Sequence, residues 1–89
     1  MKVSELAEKI DAHLKRMEAD PAINVERKGS GGMSLPPFYE AHAYQGGGRV
    51  MVSTVNFQGT SSLTKEKAEA YLAWLDEGNN GSPARAGVL

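Results

Sequence analysis

The sequence predicts a single α+β domain of order α-β-β-β-α, with a three-stranded antiparallel sheet and two helices packed on one face. Three observations carry this expectation. An apolar repeat at helical spacing opens the chain, alternating and β-branched runs punctuated by glycines fill its middle, and a second capped apolar repeat follows at residues 64–78.

In the first repeat Val3, Leu6, Ile10, Leu14 and Met17 recur at spacings of 3, 4, 4 and 3, which sets all five on one stripe of a helix over residues 4–19. Ser4 suits the N-cap and Glu5 the positive end of the helix dipole. Glu5/Lys9 and Asp11/Lys15 fall at i,i+4 on the polar side. Asp20-Pro21 stops the helix, because the residue before a proline is pushed out of the α region.

Ile23-Asn24-Val25-Glu26-Arg27 alternates apolar and polar residues, as a short edge strand does. Residues 28–37, with three glycines and two prolines, read as a flexible loop. Residues 38–45 and 49–58 read as the second and third strands, joined by a hairpin turn at Gly46-Gly47-Gly48, where positive φ costs nothing. On the third strand Met51, Ser53, Val55 and Phe57 share one face, and Val50 and Val52 the other. Gly59-Thr60-Ser61-Ser62 closes the sheet. Thr64 then caps a second helix whose buried stripe is Ala68, Tyr71, Leu72 and Leu75, with Leu63 placed to staple against Ala68. Lys67 holds the position at which a full capping box needs Glu or Gln. Gly78 ends the helix, and residues 79–89 have no periodicity, so the domain is expected over 1–78 and a flexible tail over 79–89.

With 89 residues, 40% of them apolar and 24% charged, the chain has material for one core. Ten basic against eleven acidic residues leave a net charge of −1, so any grip on nucleic acid or an anionic membrane must come from a local patch. The absence of cysteine removes disulfides, thiolate chemistry and cysteine-ligated zinc. Met1-Lys2-Val3-Ser4-Glu5 opens into a charged amphipathic segment rather than a signal peptide, and no run approaches the roughly 20 apolar residues of a membrane span. The expectation is a cytoplasmic protein without membrane association.

Candidate chemistry is sparse. Neither glycine cluster leads through a Lys-Ser/Thr pair into a helix, as a phosphate loop does. His13 and His42 are the two histidines, and a zinc site needs further nitrogen or sulfur ligands. Glu40 and His42 lie at i,i+2 on one strand face, the spacing of an acid/base pair, but no nucleophile or oxyanion donor accompanies them. The reading is therefore of a non-enzyme with no catalytic, cofactor-binding or metal-ligating set.

What remains is binding. Met33, Leu35, Phe38 and Tyr39 make the loop between the first two predicted strands unusually apolar for a connection, and Trp74 lies roughly 60° from Tyr71 around the second helix, half exposed. These five residues and the sheet edge form the candidate partner surface. They suit a protein partner of an adaptor or inhibitor, of the size of small phage or mobile-element proteins. Homodimerisation through the first strand or the loop uses the same residues. The alternative is nucleic acid, held by Arg27, Lys28, Lys65 and Lys67, which the predicted meander gathers at one end of the sheet; Arg49 falls at the other end.

The α-β-β-β-α order with Lys65-Glu66-Lys67-Ala68-Glu69 opening the second helix resembles, in topology, the double-stranded RNA-binding domain. That resemblance implies phosphate contacts from the start of the second helix. Two of the family's three lysine positions hold Glu66 and Glu69 here, and Leu35-Pro36-Pro37-Phe38-Tyr39 stands where the family has its Gly-Pro-x-His loop.

Overall fold

The computed structural model describes residues 1–20, 22, 41–54 and 59–89. Along them run α1 (Val3–Ala19), β1 (Ala41–Gly46), β2 (Arg49–Thr54), β3 (Gly59–Leu63), α2 (Lys65–Asp76) and a one-turn α3 (Pro83–Ala86). The strands form one antiparallel sheet in the order β1-β2-β3. The α+β class and the α-β-β-β-α order through α2 are those the sequence predicts.

The apolar stripe of α1 is buried through Leu6, Ala7, Ile10, Leu14 and Met17. Its N-cap is Lys2 rather than Ser4, and the Glu5 carboxylate accepts from the Lys2 amide at 3.1 Å. A lysine side chain has no acceptor to return, so only half of a capping box forms. At the other end the Asp20 carboxylate accepts from the Ala22 amide at 2.9 Å, a local turn just past the last helical residue.

One predicted strand lies outside the described residues, and one observed strand stands where a turn was expected. The segment 23–27 and the loop 28–37 lie outside the described residues. The predicted strands 38–45 and 49–58 correspond to β1 and β2, and Gly59-Thr60-Ser61-Ser62, expected to close the sheet, is itself most of β3. The physical reason is legible in its burial. Leu63 is the large apolar residue β3 contributes to the core, Ser61 beside Val52 is half-buried, and Thr60 and Ser62 are exposed, so the strand carries too little apolar alternation to announce itself. The hairpin is tighter than predicted: Gly46 pairs with Arg49, and Gly47 and Gly48 take φ of 57° and 77°, the paired positive values of a two-residue primed turn.

At α2 the Thr64 hydroxyl accepts from the Lys67 amide at 3.2 Å, and Leu63 and Ala68 flanking that turn are both buried. Gly78, with φ of 98°, donates its amide to the Leu75 carbonyl and closes the helix as expected. Residues 79–89 depart from the expected tail. Ser82 caps α3, accepting from the Arg85 amide at 3.3 Å, Pro83 occupies its first turn and is buried, and Gly87 ends it in the left-handed region. Ala86 and Val88 pack against the core, and the buried Tyr71 hydroxyl donates to the Gly81 carbonyl at 2.7 Å.

Burial pushes the Tyr71 phenol well above its ordinary range. The folded protein therefore keeps a proton that the unfolded chain releases above about pH 10, so this contribution to stability is intact below that pH and declines as pH rises further, by up to about 1.4 kcal/mol per unit. Chemical denaturation at a series of alkaline pH values should show this decline, and Tyr71→Phe should flatten it. An equal slope in the variant would assign the decline to other groups.

Candidate functional site

Cross-strand register builds a continuous outer surface on the sheet. His42 faces Ser53 and Ser53 faces Thr60, while Tyr44 faces Met51 and Met51 faces Ser62. Partners in an antiparallel pair share a face, and the alternate set Ala41, Val50, Val52 and Leu63 is buried, so the His42 and Tyr44 rows point away from the core. Tyr44 is 48% exposed, and among the described residues the other large apolar side chains exposed to this degree, Met1 and Leu89, sit at the ends of the sequence. Met51 is half-buried beside it, with its thioether side chain against Gly46. Arg49 borders the row, its Nε donating to the Ser62 hydroxyl at 2.6 Å. The result is an aromatic and thioether centre rimmed by hydroxyls and one guanidinium, a composition suited to a partner's apolar side chain and backbone carbonyls.

His42 offers little as a base in this arrangement. Its Nδ1 accepts from the Lys15 ammonium at 2.7 Å, which leaves the ring proton of the neutral imidazole on Nε2. Glu40 lies outside the described residues.

The predicted partner residues divide sharply. Met33, Leu35, Phe38 and Tyr39, with Arg27 and Lys28 of the alternative patch, lie outside the described residues. Trp74 is half-buried, stacked on Tyr71 with ring centroids 6.1 Å apart and planes at 23°, and packed against the core. Lys65 and Lys67 are exposed in the first turn of α2.

The expected position of Arg49 is overturned. With β3 inserted between β2 and α2, the chain reverses once more, and α2 starts at the end of the sheet where Val50 pairs with Leu63. Arg49 is thereby hydrogen-bonded to Ser62, two residues before the cap of α2. Lys65 and Lys67 thus share an end of the sheet with Arg49 and the Gly47-Gly48 turn.

A depression of about 350 Å³ lies between α1 and the C-terminal end of α2, lined by Lys9, Ala12, His13, Arg16 and Asp76. Arg16 donates to His13 Nδ1 at 2.9 Å, fixing the ring proton on Nε2, which donates to Asp76 at 2.7 Å. The chain Arg16–His13–Asp76 ties the two helices together across the surface. The spacing of Lys9, His13 and Arg16 at i, i+4 and i+7 places them on one helix face, a signal the buried stripe beside them obscures.

No family model, curated protein or solved structure matches the chain. Among the described residues no three side chains gather as a metal set, and no helix is long and apolar enough to cross a membrane.

Proposed function

We propose that this chain is a small non-catalytic protein-binding module, an adaptor or inhibitor of a larger assembly, that meets its partner with the outer face of its sheet. The observation that supports this reading is Tyr44, an aromatic held in mid-strand on a paired, rigid surface and left open to solvent beside Met51. A tyrosine fixed by a sheet loses little side-chain freedom on association, which is why aromatic anchors dominate interface energetics. The apolar residues Leu35, Phe38 and Tyr39 precede β1 in the chain, so the strand that presents Tyr44 is also the one into which that segment leads.

The test compares immobilised wild-type protein with Tyr44→Glu, a substitution at an exposed site expected to move stability by less than about 0.5 kcal/mol. A partner retained by the wild type at high salt should bind the variant at least tenfold more weakly, as about 1.4 kcal/mol at a central contact implies. Equal retention by the two proteins, with equal thermal unfolding, would exclude the sheet face.

Nucleic-acid binding is a second reading, favoured by the position of Arg49 beside the start of α2, where Lys65 and Lys67 are exposed. It predicts retention on heparin that falls steeply with salt and is lost in Lys65→Glu with Lys67→Glu. Light scattering at low and high salt, with and without mixed RNA and DNA, separates the readings: a mass gain confined to nucleic acid at low salt selects this one.

A further inference from the structure

The strands β1, β2 and β3 contain no aspartate or glutamate, although the chain has eleven acidic residues. Two acids of α1 are held on the main chain of β1 instead. The Glu18 carboxylate accepts from the Ala41 amide at 3.1 Å and the Asp11 carboxylate from the Ala43 amide at 2.9 Å, while the Lys15 ammonium between them donates to the Ala41 carbonyl at 2.6 Å. Arg49 is the charged side chain of the three strands. Its Nε donates to the Ser62 hydroxyl at 2.6 Å and its Nη2, more weakly, to the Ser62 carbonyl at 3.5 Å, so one fork of the guanidinium is taken up and its plane is held. The fork of Nη1 and Nη2 remains, and no carboxylate of the described residues pairs with it. Gly46, the cross-strand partner of Arg49, adds no side chain there, and Met51 Cγ and Tyr44 Cε2 stand 3.0 and 3.9 Å from where its β-carbon would be. Arg49 and Met51 share the outer face two residues apart, which separates the guanidinium from the Tyr44–Met51 pair by one strand repeat, about 6.6 Å.

Resting on the reading of the sheet face as the partner surface, we infer that this patch is a two-point site for an acidic segment, an extended stretch of a partner protein that carries a carboxylate two residues from an aromatic or large aliphatic side chain. In an extended segment side chains i and i+2 leave the same side at that same spacing. The carboxylate then reaches the open fork of Arg49 while its apolar neighbour covers Tyr44 and Met51. A planar fork pairs a carboxylate in two parallel hydrogen bonds, and a guanidinium already held by Ser62 loses less freedom on binding. A sheet without acidic side chains adds no repulsion of its own. Nucleic acid is the weaker occupant of this patch, because Ser53, Thr60 and Ser62 fill the rest of the outer face with uncharged hydroxyls where a phosphate backbone needs a run of cations.

The experiment titrates short capped peptides into isotope-labelled protein and follows the backbone amides by NMR. The peptides carry aspartate and phenylalanine two residues apart, in either order, and their controls have lysine in place of aspartate. An acidic peptide should shift the amides of Gly46, Arg49 and Met51 saturably, its lysine control should bind at least about fivefold more weakly, and Arg49→Glu should reverse that order. Arg49→Gln, the milder change should Arg49→Glu disturb the hairpin, should abolish the difference between the peptides. Equal binding of acidic and lysine peptides, with Tyr44→Ala weakening both, overturns the acidic segment and leaves the sheet face standing. An absence of shifts at these amides with every peptide also overturns the proposal, while the face itself is judged separately by partner retention in Tyr44→Glu. A single-stranded oligonucleotide that shifts the same amides at lower concentration than the acidic peptide overturns it in favour of nucleic acid.

Discussion

Ending the chain after Gly78 is expected to destabilise the fold by about 3–5 kcal/mol, a large share of the 5–15 kcal/mol of a typical domain. The cost has two parts. The Tyr71 hydroxyl exchanges the Gly81 carbonyl, its hydrogen-bond acceptor, for water, at a net cost of about 0.5–1.5 kcal/mol. Removal of Pro83, Ala86 and Val88 uncovers the apolar surface on which they pack, at roughly 25 cal/mol per Å². Each kcal/mol is worth about 4–8 °C of Tm in a domain of this size, so differential scanning calorimetry resolves the effect easily. Removing Leu89 alone, which is exposed, should leave Tm unchanged. A truncated protein as stable as the full chain would mean that the segment is an appendage.

The second large effect is expected at Gly81. A β-carbon there would stand 2.9 Å from the Trp74 ring and 2.6 Å from the Arg85 side chain, at a φ of 156°. The outer part of the arginine can swing away, but its Cβ, 3.1 Å off, cannot, and the indole is stacked on Tyr71. Gly81→Ala should therefore cost about 2–4 kcal/mol and shift Trp74 fluorescence to the red as the ring is displaced toward water. Gly78→Ala is the control. Its φ of 98° is also unfavourable, but nothing lies within 4 Å of the added carbon, so the cost should be about 1–2 kcal/mol with Trp74 fluorescence unchanged. The reverse order of the two variants would show that the contact with Trp74 is loose.

Both effects fall on a segment whose signals were present in the sequence. Ser82 followed by Pro83, with Gly87 four residues later, is a short version of the asymmetry that marks helix starts and ends. It passes unnoticed because a single turn has no apolar repeat to confirm it. The stripes of α1 and α2 were legible for the opposite reason: five and four apolar positions at helical spacing leave no competing period. β3 was hidden by its composition, since two hydroxyl side chains facing solvent and a serine facing the core resemble a turn as closely as a strand. That single omission also displaced Arg49, because inserting one strand into a meander moves everything after it to the other end of the sheet. At the candidate site, Tyr44 could have been assigned outward by parity with His42 once Ala41 was taken as a core residue. The contacts of Asp11, Lys15 and Glu18 could not, since they join α1 to main-chain atoms 23 to 32 residues away, and main-chain atoms carry no sequence signal.

That last property has a bearing on mutational tolerance. Because α1 grips the amides and carbonyl of β1 rather than its side chains, the outward positions 42 and 44 are free of the task of holding the strand in place, apart from the contact of His42 with Lys15. Selection can rewrite those positions while the inward alanines and the polar row of the helix stay constant. A saturation library over β1 should accordingly show a two-residue rhythm, restrictive at 41 and 43 and permissive at 42 and 44 for folding, so that whatever surface the sheet presents can diverge to meet new partners without altering the scaffold beneath it.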